Sequence, residues 1–374
     1  MAELYSLPNG WEWKKLEDVC GKDSSNISLK TIENDNGIYP IYGAKGLIKT
    51  ISSYRREEPY IAIIKDGAGV GRVMICDEKS SIIATMQYLI PKNNVSLKFL
   101  FYFLSIIDFS HYINGATIPH IYYKDYKNNP FPLPPLEEQK RIVEKLDLLF
   151  TKIDKAIEFH QKNCEEADIF MASVLNDVFV ELEEKYEKKQ LNEIVIFGGK
   201  NISTLEYPNL IYFSLEDIET QTGKILNYKT VNESGVKGTA VSFDDNVVLY
   251  SKLRPYLNKV IVPNLEGCAT TELVVLKPKD KLDKYFLASY LRSSNIVNFL
   301  NNDSMGAKMP RTNMKTFRNL DIPLPPLKTQ QKVVAYLDEI SNKIEKIKQI
   351  QKEKMQSLKE LKASILDKAF KGEL

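Results

Sequence analysis

Basic and aromatic side chains recur in turn-rich segments at two places in this 374-residue chain. One set is Lys45, Lys65, Arg72, His120 and Tyr122; the other is Lys200, Lys252, Arg254, Tyr256, Lys259, Lys308 and Arg311. Lysine and arginine neutralise phosphates or hydrogen-bond to guanine edges. Tyrosine stacks or touches a backbone, although Tyr122 serves equally well as a core residue. The chemistry open to such a set is recognition of nucleic acid. Any single member is also readable as a solvated surface charge.

Residues for bond-making chemistry are missing from the pattern. No G-x-x-x-x-G-K-[ST] phosphate loop occurs, and Gly67-Ala68-Gly69-Val70-Gly71 sits between two expected strands, as a turn or bulge would. His111, His120 and His160 lack metal-ligand spacing. Cys20, Cys76, Cys164 and Cys268 form no CxxC pair and read as reduced thiols of a cytoplasmic protein. The first residues lack a basic and an apolar region, so no leader is read, and no apolar run is long enough for a membrane span. With 43% apolar residues the chain can build ordinary cores, and a net charge of +2 excludes a uniformly basic binder while leaving room for a local basic groove. Neither a metal nor a cofactor is expected in this chain.

The elements that must hold these residues are written twice. Pro-Leu-Pro-Pro-Leu at 132–136 recurs at 323–327, a shift of 191 residues. The same shift, without gaps, lays Gly-Ala-Thr-Ile-Pro-His (115–120) on Gly-Ala-Lys-Met-Pro-Arg (306–311). It also lays Gln139, Val143, Leu146 and Asp147 on Gln330, Val334, Leu337 and Asp338, and Phe179 on Phe370. A duplication follows. Each proline motif reads as a rigid hinge before a helix. Helical periodicity then runs over 136–187 and 327–371, about 65–75 Å each.

Helices of that length need a partner. Their heptad seams read Leu146, Leu149, Ile153, Ala156, Ala167, Phe170 and Val174 in one, and Leu337, Ile340, Ile344, Ile347, Leu358, Leu361 and Ile365 in the other. Polar residues interrupt both in the middle: His160 and Asn163, Gln351 and Lys354. Residues 136–189 carry 9 basic and 14 acidic side chains, and 327–374 carry 11 and 7. Opposite net charge favours pairing of the two helices with each other, as one antiparallel coiled coil.

The rest reads as two mixed α/β domains, so the expected fold class is α+β with internal pseudo-twofold symmetry. The boundaries are 1–131 (first domain), 132–189 (hinge and long helix), 190–322 (second domain) and 323–374 (hinge and long helix). Strands are expected at 60–64, 71–75 and 88–90, and at 246–250, 259–262 and 272–276, with helices over 97–107 and 284–300. Laying the strand pairs together matches Lys65 to Lys252 and Arg72 to Lys259.

The order of domain, Pro-Leu-Pro-Pro-Leu with Glu-Glu-Gln, and long helix, given twice, resembles the specificity subunit of type I restriction–modification systems. Segments 42–48, 65–73 and 251–260 look like that family's target-recognition domains. Lys328-Thr329-Gln330 departs from Glu-Glu-Gln in the second copy. The resemblance implies a non-catalytic chain that reads a bipartite, asymmetric DNA site, one half per domain, with the coil setting the spacer. It implies two methyltransferase subunits docked at Leu136, Gln139, Arg141, Leu327, Gln330 and Lys332, and restriction subunits beside them. S-adenosylmethionine then belongs to the methyltransferase, and ATP and Mg to the restriction partner. Two rival readings are a coiled-coil scaffold that binds only proteins and an enzyme with an unrecognised site.

Overall fold

The computed structural model describes residues 5–115, 117–306 and 308–374. It comprises two compact units, Met1–His160 with Lys352–Leu374, and Gln161–Gln351. Each holds one mixed α/β domain and a stretch of both long helices.

In the first unit a four-stranded antiparallel sheet runs in the order Cys20–Ser24, Met86–Pro91, Tyr60–Ile64, Val73–Cys76. All five residues of Tyr60–Ile64 are buried because both faces of the strand are covered. Ile61 and Ile63 enter the core under the helices, while Tyr60, Ala62 and Ile64 enter the core under a second sheet. That second sheet has three strands, Gly46–Ile51, Tyr39–Gly43 and Ser81–Ile82. The strand expected from residue 71 begins at Val73, because Gly71 adopts φ +86° and turns the chain.

The second unit repeats the four-stranded sheet as Val195–Gly198, Leu273–Pro278, Val248–Ser251, Val260–Ile261. Its second sheet has five strands, where the first unit has three. The helix expected over 284–300 is two, Lys284–Arg292 and Ser294–Asn302. Ser293 between them is extended and its hydroxyl donates to the Tyr290 carbonyl, the local bond by which serine competes with helix.

The prolines, read as a rigid hinge, lie in paired strands. Pro130–Leu133 pairs with Glu12–Lys15, and Asp321–Pro323 with Lys188–Gln190, as two-stranded antiparallel ribbons. In a two-stranded ribbon every second N–H points away from the partner, so prolines two apart lose no ladder bond. The ribbons deliver the chain directly into helices Leu136–Lys185 and Leu327–Lys371.

Gln139 and Gln330 anchor these starts. Each is fully buried. The Gln139 amide donates to the carbonyls of Pro134 (3.0 Å) and Asn94 (2.9 Å) and accepts from the Ser96 N–H (2.8 Å). Gln330 does the same with Pro325, Lys281 and Asp283, each at 2.8 Å. Ser96 and Asp283 are the N-caps of the domain helices Leu97–Ile106 and Lys284–Arg292. Each glutamine therefore supplies from another helix the bond that a capping box makes within one. Gln139→Ala is expected to destabilise the first unit by about 3 kcal/mol, since it strands three backbone polar groups out of water. Denaturant unfolding compared with the native chain checks this; an unchanged midpoint contradicts it.

Within each unit the helix stretches lie antiparallel. Leu146, Phe150 and Ile153 share a core with Leu366, Ala369 and Phe370; Phe179 and Leu182 share one with Leu337. Phe370 packs on Phe99 and Phe103, and Phe179 on Phe286 and Tyr290, so the end of one helix and the start of the other grip each domain.

The seam differs in part from the expected one. Leu146, Ile153, Leu337 and Ile344 are buried, and His160, Val174, Gln351 and Ile365 half-buried. Phe170, Ile347 and Leu361, expected inside, are 56%, 47% and 47% exposed. Their places go to the next residues, Met171, Lys348 and Lys362, and Cys164 replaces Asn163. The sequence offers two adjacent apolar stripes here, and the seam adopts the one that keeps a regular alternation through Ile157, Cys164 and Met171. In the second helix that stripe contains Lys348 and Lys362. Their stems lie inward and their ammonium groups reach Asp168 (2.7 Å) and Asp154 (2.8 Å) on the other helix. Burial works against the Lys348 charge, but hydrogen bonds to Asp168 and Glu345 outweigh it and leave its pKa raised.

Candidate nucleic-acid interface

The loop after each central strand is built by one hydrogen-bond pattern. In the first unit Lys65 N–H donates to the Thr85 carbonyl, Ile121 N–H to the Lys65 carbonyl, Gly67 N–H to the Pro119 carbonyl and Ile64 N–H to the Arg72 carbonyl. In the second, Lys252 N–H donates to Glu272, Thr312 N–H to Lys252, Arg254 N–H to Pro310 and Ser251 N–H to Lys259. Lys65 and Lys252 thus occupy the same backbone position, as do Gly67 and Arg254, and Arg72 and Lys259. His120 and Arg311 also coincide: each forms isolated bridges to the strand-end loop and to Asn114 or Met305.

This geometry brings Lys65, Arg72, His120 and Tyr122 of the first unit together. Arg72 donates to the carbonyl of Ala44, next to the exposed Lys45. His120 lies edge-on to Tyr122 at 4.7 Å, and Lys124, not singled out in the sequence, stands over the Tyr122 ring at 5.2 Å. Tyr122 is 49% exposed, so it is not a core residue. Acidic groups share the loop: Lys65 lies 3.7 Å from Asp66.

In the second unit Lys252, Arg254, Tyr256, Lys259 and Arg311 come together on the equivalent loops. Two are engaged. Arg311 makes a two-pronged pair with Glu272 (2.9 and 3.4 Å), whose hydrogen bond raises its pKa. Lys259 donates to the Leu215 carbonyl at 2.6 Å, and burial lowers its pKa. Arg254 and Tyr256 are exposed. Lys200 belongs elsewhere: its carbonyl is taken by Ser242 beside the five-stranded sheet. Lys308 is exposed on the Gly306 loop; Ala116 and Ala307 of the two Gly-Ala loops lie outside the described residues.

Backbone strain is uneven. Gly67 and Gly71 adopt φ +86° in the first loop, and Arg254 (φ +51°) and Asn258 (φ +49°) hold those positions in the second. Asparagine tolerates this region; arginine adopts it at a cost of about 1 kcal/mol.

Burial pushes the thiols of Cys20 and Cys76 up to about 12 and that of Cys268 to about 11. Among the described residues, no group of three or more His, Cys, Asp or Glu is placed to hold a metal, and no helix is long and apolar enough to cross a membrane.

Of the residues expected to meet a methyltransferase subunit, Gln139 and Gln330 are excluded by their burial and their full set of hydrogen bonds. No sequence signal marks their role, because two of the three partners of each lie 43 to 49 residues away along the chain. Leu136, Arg141, Leu327 and Lys332 are exposed, with Arg141 paired to Glu138 at 2.7 Å. In the second unit an open apolar groove beside the seam is lined by Ala167, Phe170, Ile340 and Ile347.

The family model described as Type I restriction modification DNA specificity domain matches residues 8–163 and again 183–354. The Escherichia coli type I restriction enzyme EcoDI specificity subunit is 24% identical over 98% of this chain and 89% of its own length. The Methanocaldococcus jannaschii MjaVIII specificity subunit is 26% identical over 96% and 92%. Two solved structures share the fold at 22% identity: a chain from work on assembly and conformational transition of the type I R-M system (TM-score 0.72, 99% of this chain and 100% of that one) and the HsdS subunit from Thermoanaerobacter tengcongensis (TM-score 0.53, 99% of each). Two copies of the matched domain, with the repeated sheet, glutamine anchor and antiparallel helices, place this chain in the family of type I restriction–modification specificity subunits.

Proposed function

We propose that the chain reads a split, asymmetric DNA site, one half per domain, and that the paired helices set the length of the unread spacer. The observation that carries this is one loop backbone bearing different side chains in its two copies: Lys65, Gly67, Arg72 and His120 against Lys252, Arg254, Lys259 and Arg311. An identical frame with different hydrogen-bonding groups is what two readers of different sequences require.

Catalysis then rests with partners. Two methyltransferase subunits, carrying S-adenosylmethionine, dock against the exposed helix starts at Leu136, Arg141, Leu327 and Lys332 and methylate adenines flipped out of the duplex. Restriction subunits, where they join, contribute ATP- and Mg-dependent cleavage. The domain boundaries that fit this division are 1–131, 132–189, 190–322 and 323–374. Titrating the chain assembled with its modification subunits into fluorescent duplexes at several salt concentrations tests the reading. The expected result is tight binding to site-bearing duplexes, with log affinity falling linearly in log salt. Equal, weak binding to every duplex would favour a scaffold that binds only proteins.

A further inference from the structure

Among the described residues, three bulky side chains other than asparagine sit at positive φ: Lys79, Gln221 and Arg254. The side chains of two have partners inside the protein. The Lys79 ammonium lies 3.7 Å from Glu57. Gln221 donates from its backbone to Leu257 and from its side chain to Tyr256 (3.0 Å), and accepts from Asn258 (3.3 Å). Arg254 has no hydrogen-bonding or charged side-chain partner among the described residues, and it stands exposed.

The other copy shows what the fold alone asks for. Gly67 holds the same position, with the same bond to the proline of the Gly-Ala loop, and a Cβ added there would meet nothing within 4 Å. Glycine satisfies the backbone at no strain, so the second copy keeps a strained residue where the fold needs none. The Arg254 backbone is held, with its N–H on the Pro310 carbonyl and its carbonyl taken by the Leu257 N–H, but a strained residue whose side chain has no use inside the protein points to use of that side chain outside it. The loop is also stiff. Gln221 braces Tyr256, Leu257 and Asn258, and Asn258 is tied to the Arg292 carbonyl at 3.0 Å.

We propose that Arg254 is a base-reading residue of the second domain, its guanidinium hydrogen-bonding a guanine edge in the major groove of that half-site. This rests on the DNA-reading function above. A phosphate contact needs only a positive charge on a flexible stem, which any surface lysine supplies without strain. A two-pronged contact to guanine O6 and N7 needs a fork held at a fixed origin, which the rigid left-handed position provides.

The test compares native, Arg254→Gly and Arg254→Lys chains, each assembled with modification subunits, on duplexes varied at each position of the native site, with thermal unfolding alongside. Arg254→Gly is expected to unfold at the same or a higher temperature and to lose about 10- to 100-fold discrimination at one base pair of one half-site. Arg254→Lys should keep the salt dependence and lose the same discrimination. A uniform fall in affinity for all duplexes, with a shallower salt slope, would make Arg254 a phosphate contact and overturn the proposal. Unaltered discrimination would overturn it too, and a native assembly with no sequence preference would overturn the DNA-reading function with it.

Discussion

One heptad inserted into both long helices, between Asp154 and Asp168 and between Lys348 and Lys362, is expected to lengthen the unread spacer and leave both half-sites unchanged. Seven residues add about 10 Å of helix, or about three base pairs at 3.4 Å each. A whole heptad returns the seam to the same face. The duplex turns by about 100° over those base pairs, while the coil drifts only about 20°, so affinity for the new site falls as its spacing shifts. Insertion into one helix alone is different. With one pair held in register, the other slides: Lys348 from Asp168 to Gln161 or Leu175, or Lys362 from Asp154 to Gln161 or Asp147. In every case but the last a buried-stem lysine loses its carboxylate, and the expected result is loss of methylation. Sequencing of methylated sites checks both variants; a paired insertion that alters either half-site while preserving the spacer sinks the ruler.

Exchange of residues 1–131 for the same domain of another member is expected to replace one half-site entirely and leave the other as it was. The loops that differ between copies lie in separate units, so the second reader keeps its frame. The graft must still fit what crosses the junction. Ser96 has to meet Gln139, and Phe99 and Phe103 have to receive Phe370. A chimera that lacks those three contacts is expected to misfold at the first unit, and restoring them rescues it. If a folded chimera methylates a motif altered in both halves, the readers are not independent.

The duplication was legible because it rests on side chains that the backbone repeats need: the prolines, the glutamine, and Phe179 with Phe370. Both long helices start at the residues periodicity assigned, and the first ends at Lys185, two residues short, where the chain turns into a strand. The correspondences of Lys65 with Lys252 and Arg72 with Lys259 were also readable, since strand patterns align them. Other features were not. Whether an apolar pair such as Phe170-Met171 turns its first or second member inward depends on the facing helix. A lysine inside a seam becomes acceptable only once an aspartate stands opposite. The buried role of Gln139 depends on carbonyls and an N–H brought in from residues 94 and 96, far off in sequence. The five-stranded second sheet differs from its counterpart because the copies diverge there, so the repeat gave no guide. Arg254 drew notice as a charge; its strained backbone was invisible until Gly67 was seen at the same place.

Mapping methylated adenines across the genome of cells that express this chain with its modification subunits bears most directly on the central claim. The prediction is one asymmetric motif: two short defined tracts of different sequence, held apart by a stretch of constant length and unconstrained composition. A single uninterrupted motif, a palindrome with identical halves, or methylation without sequence preference would contradict it.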